Sequence, residues 1–283
     1  MSTIYLNGEY MPAASATVSI DDRGFLFADA CYEVTACFGG RLLTLDRHLA
    51  RLQRGLDELR IEFDVEQLVP VHERLIALNG LGDAPAGSVY VHVTRGVATR
   101  DHAFPIGVTP TVLARARQNT PRTEAATSGT RAITHPDIRW GRVDIKTPGL
   151  LPNVLAQQRA VDAGVGDVVL HRDGIVTEGS HTNVFGVIDG VIVTAPTDHR
   201  ILPGVTRGIV LELARANGLD VAERTWTLDE LFAADEVFMT STNSGVRPII
   251  EIDGRAVADG RRGRVTARVQ ALYAEFVEAE CTR

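Results

Sequence analysis

Residues 142–158 read RVDIKTPGLLPNVLAQQ, and Lys146 in this segment is the single lysine in a chain of 283 residues. Lysine and arginine together number 29, so the remaining 28 basic residues are all arginine. An arginine guanidinium stays protonated near neutral pH, whereas a lysine amine that is buried or near another cation can lose its proton and form a Schiff base with a carbonyl compound. A coding preference for arginine with one leftover lysine is the plainer alternative. The exception at position 146 therefore raises the hypothesis of amine chemistry.

Length and composition restrict the class of protein. A chain of 283 residues suits one large or two medium domains, and 45% hydrophobic with 23% charged residues is ordinary for a globular protein. The net charge of −7 argues against a nucleic-acid-binding surface. Cys31, Cys37 and Cys281 form no CxxC pair, which argues against a disulfide framework or a zinc site. Because neither a secretion signal nor an apolar run of about 18 residues occurs, we expect a cytoplasmic protein without a membrane partner.

Strand and helix signals alternate along both halves of the chain. Asp173-Gly174 and Asp189-Gly190 predict hairpin turns, and a helix over 46–60 is predicted to begin at an Asp46 N-cap. The polar segment NTPRTEAATSG is predicted to be a linker. Apolar periodicity predicts further elements: strands within 3–11 and at 16–21, 88–96, 110–118, 130–138 and 235–242, and helices at 152–163, 204–218 and 264–279.

The linker at 119–129 is predicted to separate an N-terminal domain, 1–118, from a C-terminal domain, 130–283. Both domains mix strands with helices. The sequence therefore favours the α/β or α+β fold class.

A lysine that forms a Schiff base with pyridoxal 5'-phosphate (PLP) needs three further supports. They are donors for the phosphate, a carboxylate for the pyridine nitrogen and a clamp for the substrate. Glu178 lies where a predicted strand breaks at Gly179, so it is a candidate for the pyridine nitrogen. An exposed glutamate in a hairpin is the alternative explanation for Glu178.

Candidate hydrogen-bond donors for the phosphate lie at the start of a predicted helix. Gly204 permits a tight turn, after which the backbone amides of Val205 and Thr206 open the helix and offer oriented donors for an anion. Thr242, at the end of a strand, and Arg51, on the helix at 46–60, could add further donors. For Arg51 the alternative is a solvated helix arginine.

The substrate clamp has a candidate in TRDHAFP, residues 99–105. Arg100 and His102 are two positions apart, so in an extended loop both side chains point the same way. An arginine can bind a carboxylate through two hydrogen bonds, and a histidine can add another. An ordinary surface loop is the alternative. No metal site is expected, because six further histidines show no metal-ligand spacing: His48, His72, His92, His135, His171 and His199.

Taken together and in order, these motifs resemble the fold-type IV PLP-dependent transaminases, and among them the D-amino acid transaminases. The resemblance covers nearly the whole chain, and it includes DRGFLFADACYEV (22–34), RHLARL (47–52), DIRWGRVDIKTPGLLPNVLA (137–156), VTEGSHTNVFG (176–186), LPGVTR (202–207) and DEVFMTSTNS (235–244). It implies a two-domain fold, with a small N-terminal α/β domain and a larger C-terminal α/β pseudo-barrel domain.

The resemblance also implies a role for each matching residue. Lys146 would carry the internal aldimine and act as the catalytic acid and base, and Glu178 would pair with the pyridine nitrogen. Tyr32, Arg100 and His102 would bind the substrate α-carboxylate, the last two acting from the partner subunit of a homodimer. The remaining contacts would be with the cofactor: Arg51, Val205, Thr206 and Thr242 at the phosphate, Ser241 close by, and Leu202 against the ring.

The implied reaction is ping-pong transamination between a D-amino acid and a 2-oxo acid, of the type that converts D-alanine and 2-oxoglutarate to pyruvate and D-glutamate. Branched-chain L-amino acid transaminase, aminodeoxychorismate lyase and (R)-amine transaminase are the alternatives within the fold, and a non-catalytic PLP carrier is the alternative outside it. His181 and the stretch Gly245-Val246-Arg247 depart from the family pattern, which leaves the preferred side chain open.

Overall fold

The computed structural model describes residues 2–120 and 128–282. The chain divides into two compact units, one comprising Met1–Pro121, Ile145–Gly149 and Glu280–Arg283, and the other Arg122–Asp144 and Leu150–Ala279. Lys146 thus belongs to the first unit, although the chain on either side of its segment belongs to the second. Most of the predicted linker, residues 121–127, lies outside the described residues, and the predicted domain boundaries stay a prediction.

The first unit is built on an antiparallel sheet with the strand order β2-β1-β6-β5-β3-β4. Its strands are β1 (Thr3–Leu6), β2 (Glu9–Pro12), β3 (Ala30–Phe38), β4 (Arg41–Leu42), β5 (Gly87–Thr94) and β6 (Val112–Gln118). Its helices are α1 (Arg23–Phe27), α2 (Leu45–Leu59) and α3 (Val69–Leu78), together with short 3-10 turns at Ala13–Ser15 and Val65–Leu68.

Helix α2, which confirms the helix predicted near 46–60, packs a stripe of leucines into the core of this unit. Leu49, Leu52 and Leu56 are buried in the cluster that also contains two cysteines of β3 and three valines of β5. The predicted N-cap is wrong, because α2 begins after Thr44 and Asp46 lies in its first turn. An acidic side chain there still favours the positive end of the helix dipole.

The strand predicted at 16–21 is also wrong. This segment follows a 3-10 turn, and its side chains are mostly exposed. Alternation favours a strand only when a neighbouring strand and a buried face are available, and residues 16–21 pair with no strand in the described structure.

The second unit contains a mixed sheet with the order β12-β11-β10-β13-β14-β7-β8-β9, and β15 pairs with β14. Its strands are β7 (Thr130–Pro136), β8 (Asp167–Arg172), β9 (Ile175–Gly179), β10 (Asn183–Ile188), β11 (Val191–Thr194), β12 (Val221–Glu223), β13 (Glu236–Ser241), β14 (Gly245–Ile252) and β15 (Arg255–Ala256). Its helices are α4 (Leu151–Asp162), α5 (Val205–Ala216), α6 (Leu228–Ala233) and α7 (Arg264–Thr282). The predicted mixed α/β fold class is confirmed.

The two predicted Asp-Gly hairpins join β8 to β9 and β10 to β11. Both residues of each turn have positive φ, near 50° for the aspartates and 80° for the glycines, as a tight two-residue hairpin requires. The first hairpin sets β9 so that Glu178 lies one residue before its end. Within the described residues, no helix has the length and apolar character needed to cross a membrane.

Candidate active site

Lys146 lies in a short segment that is anchored on its N-terminal side. The preceding residue, Ile145, is buried in the core of the first unit. The Tyr32 backbone amide donates to the Lys146 carbonyl at 3.0 Å, and Lys146 Nζ lies 3.3 Å from the Tyr32 hydroxyl and 4.3 Å from the centre of its ring. The structure therefore brings together two predicted site residues that are 114 positions apart.

Two neutral aromatic side chains, Tyr90 and His92, lie next to Tyr32. The ring of Tyr90 lies 5.5 Å from that of Tyr32, and the Tyr90 hydroxyl is 3.1 Å from His92 Nδ1. Burial raises the pKa of Tyr90 to about 12 and lowers the pKa of His92, so both groups are neutral at pH 7. No carboxylate in the described part of the chain forms an ion pair with Lys146, which leaves its amine without a counter-ion. Sequence reasoning missed Tyr90.

Arg51 is held by an acidic residue that the sequence analysis did not single out. Its guanidinium donates to both carboxylate oxygens of Glu33, at 2.6 and 2.9 Å, and His48 Nδ1 lies 2.8 Å from Glu33 Oε2. Burial alone would raise the pKa of Glu33, but the charge of Arg51 and the hydrogen bond to His48 hold it well below its usual value. A glutamate at a buried position of an apolar strand was the available signal.

Glu178 is buried and accepts hydrogen bonds from three donors in the second unit. Leu202 donates its backbone amide at 3.0 Å and Asn183 its side-chain amide at 2.9 Å, both to Oε2, while Arg139 Nη1 donates to Oε1. Burial raises the pKa of Glu178, and the Arg139 guanidinium opposes that shift. Asp137 holds Arg139 from the other side with two hydrogen bonds of 2.8 Å.

Sequence reasoning therefore found Glu178 and missed Arg139. Arg139 is one of many arginines, and it lies 39 positions from the carboxylate that it contacts. Its place in DIRWGRVDIK, seven residues before the lysine, was the weak signal available.

The candidate phosphate donors of the second unit gather around Asn183. The backbone of Asn183 on β10 pairs with Thr240 on β13, and its side chain donates to the Leu202 carbonyl at 2.9 Å. A Cβ atom at Gly204 would lie 2.0 Å from Asn183 Oδ1, so only glycine allows this approach. The end of β13 and the loop before α5 thereby lie close together, and with them the predicted residues Leu202, Val205, Thr206, Ser241 and Thr242.

This region fits a phosphate on structural grounds. Gly204 is the N-cap of α5 and, having no side chain, makes no capping hydrogen bond to the amides of the first turn. The buried hydroxyl of Thr240 has no hydrogen-bond partner in the described structure. The Ser241 hydroxyl is engaged instead, 2.6 Å from that of Ser244.

Comparisons with known proteins match the chain over its full length. The sequence model of the Amino-transferase class IV family matches residues 30–252. The chain belongs to this family. The D-alanine aminotransferase of Bacillus licheniformis is 39% identical over 99% of both chains, and that of Staphylococcus haemolyticus is 36% identical over the same shares.

Solved structures of the family have the same fold as this aminotransferase. The Escherichia coli branched-chain amino acid aminotransferase superimposes with a TM-score of 0.91 at 25% identity, covering 99% of this chain and 95% of that one. A second branched-chain amino acid aminotransferase, solved with pyridoxamine 5'-phosphate, gives 0.87 at 28% identity over the same shares. The predicted family, fold-type IV transaminases that resemble D-amino acid transaminases, is confirmed, and so is PLP as the cofactor.

The predicted substrate clamp of the aminotransferase lies on an exposed loop of the first unit. The Arg100 guanidinium carbon is 5.2 Å from the centre of the Phe27 ring, and the His102 ring is 5.6 Å from the same ring. The structure thus places both residues on one aromatic platform. Arg100 has no ion-pair partner among the residues that are described, so its charge is available to a ligand.

Of the two departures from the family pattern, Arg247 is buried. It forms an ion pair with the fully buried carboxylate of Asp167, which gives it a structural role in the second unit. His181 is exposed, and its Nδ1 lies 2.8 Å from the Ser180 hydroxyl.

The Asp137–Arg139 pair predicts a dependence of stability on pH. Burial alone would raise the pKa of Asp137, but hydrogen bonds and charge from Arg139 lower it from 3.8 to about 2. The lowered pKa means that this stabilisation is present above pH ~4 and is lost as the pH falls through ~2; it amounts to ~2 kcal/mol. We expect Asp137→Asn to lower the free energy of unfolding by about this amount at pH 7.

Denaturant unfolding of the wild type and of Asp137→Asn at several pH values measures the difference in the free energy of unfolding. This difference should shrink as the pH falls from ~4 to ~2. A difference that stays constant over this range would contradict the assignment.

Proposed function

We propose that this aminotransferase transfers the amino group of D-amino acids to 2-oxo acids, by a ping-pong reaction of the D-alanine and 2-oxoglutarate type. The observation that carries the proposal is the match to D-alanine aminotransferases over 99% of the chain at 36–39% identity. The branched-chain structures share the fold at 25–28% identity, and branched-chain L-amino acid transamination is therefore the second candidate.

Lys146 is proposed to bind the cofactor through a Schiff base and to move the substrate proton. When bound, PLP supplies an electron sink for the pair of electrons left by the broken Cα–H bond. The free Lys146 amine would take the proton from the substrate Cα and then give a proton to C4′ of the cofactor, which is the step that makes the oxo-acid product. Tyr32, at 3.3 Å from Nζ, orients the amine. Arginine at position 146 could neither form the Schiff base nor take the substrate proton.

Glu178 is proposed to hold the proton on the pyridine nitrogen. Its carboxylate is positioned by three donors that contact it from fixed backbone and side-chain positions. Arg139 supports the ionised form of Glu178, and Asp137 orients Arg139 in turn. A carboxylate held in this way stays in place during turnover without reorganisation.

The phosphate is proposed to bind at the start of α5 and at Arg51. The amides of Val205 and Thr206 supply oriented donors at the positive end of the helix, and Thr242 adds its hydroxyl group, with Ser241 close by. Arg51 supplies a full charge, and Glu33 fixes the orientation of its guanidinium. Leu202 is proposed to support the ring on the face opposite the substrate.

The substrate α-carboxylate is proposed to bind Tyr32, Arg100 and His102. Ile106, just after this loop, is exposed, and so are Ile20 and Phe25 on the segment whose Asp21 and Arg23 form hydrogen bonds with residues 98 and 101. Exposed apolar residues of this size favour burial against another protein surface. We therefore propose a homodimer in which Arg100 and His102 act in the active site of the partner subunit. A cytoplasmic location stays a prediction of the sequence.

Spectroscopy of the purified holoenzyme tests the proposed function. Addition of D-alanine should convert the absorbance of the aldehyde form of the cofactor to that of the amine form. L-alanine and L-leucine should leave the spectrum unchanged. Conversion by L-leucine in preference to D-alanine would favour the branched-chain alternative, and no conversion by any amino acid would favour a carrier.

Arg100→Ala tests the proposed clamp. We expect kcat/KM for D-alanine to fall about 30- to 150-fold, because the substrate carboxylate loses a charged partner worth roughly 2–3 kcal/mol. The kcat/KM of the half-reaction with the 2-oxo acid should fall by the same factor, since both substrates carry the same carboxylate. Steady-state kinetics of both half-reactions measure the effect.

Arg117→Ala is a matched control, because Arg117 is an exposed arginine at the other end of β6 from this loop. It should leave both half-reactions unchanged. Wild-type kinetics in Arg100→Ala would mean that another group holds the carboxylate.

A further inference from the structure

Asp29, in the connection between α1 and β3, binds two buried arginines. Arg23 Nε donates to Asp29 Oδ2 at 2.8 Å, and Arg95 donates from Nε to Oδ2 at 2.7 Å and from Nη2 to Oδ1 at 2.9 Å. The side chains of Arg23, Asp29 and Arg95 are only 4%, 10% and 8% exposed. Burial alone would raise the pKa of Asp29, but the hydrogen bonds from Arg95 and Arg23 lower it. Asp29 is therefore a charged junction between two cations.

Arg23 extends from this junction to the clamp loop. Its Nη1 donates to the backbone carbonyl of Asp101 at 2.5 Å, and Asp101 stands between Arg100 and His102. The Arg23 backbone amide also donates to the Gly96 carbonyl at 3.0 Å, which ties the start of α1 to the chain entering the loop. One arginine thus connects Asp29 to the peptide between the two clamp residues.

Arg95 contacts the same loop at a second point. Its guanidinium carbon lies 3.7 Å from the centre of the Phe104 ring, two residues after His102. Two carbonyls at the end of α2, those of Leu59 and Arg60, accept hydrogen bonds from Arg95 at 2.7 and 2.9 Å. The loop is therefore held at Asp101 and at Phe104, on both sides of His102.

The aromatic platform belongs to the same assembly. Phe27 lies on α1, and the Arg23 guanidinium carbon is 4.9 Å from the centre of its ring. Arg100 and His102 lie against that ring as well. A shift of Arg23 would move the loop backbone and the platform together.

We propose that Asp29, acting through Arg23 and Arg95, is a positioning residue that orients Arg100 and His102 for the substrate carboxylate. The inference rests on the clamp role given to these two residues under the proposed function. If Asp29 were neutral, the two buried arginines would lose the acidic partner that they share and would repel each other. Their contacts to Asp101 and Phe104 would then loosen, and the clamp would lose its fixed geometry.

Asp29→Asn tests the inference, because the amide retains the shape of the side chain and removes the charge. We expect KM for D-alanine and for the 2-oxo acid to rise about 10- to 100-fold, the loss that a displacement of ~1 Å produces. The turnover number at saturation should fall much less, and the cofactor spectrum should be unchanged. Asp21→Asn is the matched control: the same substitution at an exposed aspartate just before α1 should leave KM unchanged.

A double-mutant cycle separates positioning of the clamp from general loss of structure. In an Arg100→Ala background, Asp29→Asn should raise KM by no more than about twofold, because the charged member of the clamp that it positions is already absent and only His102 remains to be displaced. Fully additive losses would overturn the inference. So would an unchanged KM in Asp29→Asn when Arg100→Ala raises it. If Arg100→Ala itself leaves KM unchanged, the clamp proposal fails first, and the inference fails with it.

Arg23→Lys provides a second route if Asp29→Asn does not fold. A lysine can pair with Asp29, but it lacks the planar fork that also reaches the Asp101 carbonyl. KM should rise as in Asp29→Asn while the thermal midpoint stays near that of the wild type. A wild-type KM in a folded Arg23→Lys protein would overturn the proposed route through Arg23.

Discussion

Lys146→Arg is expected to lower transaminase activity at least about ten-thousand-fold. Proton transfer by a positioned side chain contributes up to about that factor, and the covalent link to the cofactor is lost as well. Arginine is similar to lysine in length and can occupy the same segment beside Tyr32, so the fold of the first unit should survive. The measurement is kcat with D-alanine, together with the cofactor absorbance, which should lose its Schiff-base band.

The single lysine makes a chemical test of the same position unusually direct. Borohydride reduction of the holoenzyme should attach the cofactor to one peptide, the one that contains Lys146. Arg54→Lys is the control, because it places a second lysine on the exposed face of α2. The label should remain at Lys146 in that variant. Label on the introduced lysine or on the N-terminal amine would contradict the assignment.

Glu178→Gln is expected to lower kcat/KM about a thousand-fold. The buried carboxylate faces Arg139, the Leu202 amide and the Asn183 amide, which are all donors. A glutamine side chain would turn a donor of its own toward this cluster and leave the charge of Arg139 without its carboxylate partner. Loss of a preorganised charge at the reacting group raises a barrier by roughly 3–4 kcal/mol, and each 1.4 kcal/mol of barrier is about tenfold in rate.

Glu223→Gln is the matched control for this variant. Glu223 also accepts hydrogen bonds from two arginines, Arg207 and Arg215, but its side chain is partly exposed and it has no proposed role in the reaction. The Glu223→Gln protein should lose some thermal stability, and its kcat/KM should stay within about twofold of the wild-type value. Unchanged turnover in Glu178→Gln, with cofactor still bound, would refute the role at the pyridine nitrogen.

Residue chemistry made part of the candidate site predictable without a structure. Lys146 stands out because no other residue of the chain supplies a primary side-chain amine. Glu178, Gly204 and the segment after Gly204 follow from local rules: a strand that breaks at glycine, and a glycine that opens a helix. The hairpin turns at Asp173 and Asp189 were predictable for the same reason, since two-residue turns demand positive φ at both positions.

Arg139, Glu33 and Asp29 could not be found in this way. Each is an ordinary charged residue by type, and each acquires its role from a partner distant in sequence. Arg139 contacts Glu178 across 39 positions, Glu33 contacts Arg51 across 18, and Asp29 contacts Arg95 across 66. Burial in the folded protein makes these contacts strong, because a desolvated charge requires a partner.

The sequence by itself determined the reactive amine, the order of the motifs, the mixed α/β class and most helix and strand positions. These follow from side-chain chemistry and from periodicity, which are properties of neighbouring residues. Only the tertiary structure decided that residues 16–21 form no strand, that α2 begins at Leu45, and which charged residues support the predicted ones. The reason is that strand pairing and buried ion pairs are free energies of contact between distant segments, and a local pattern does not encode them.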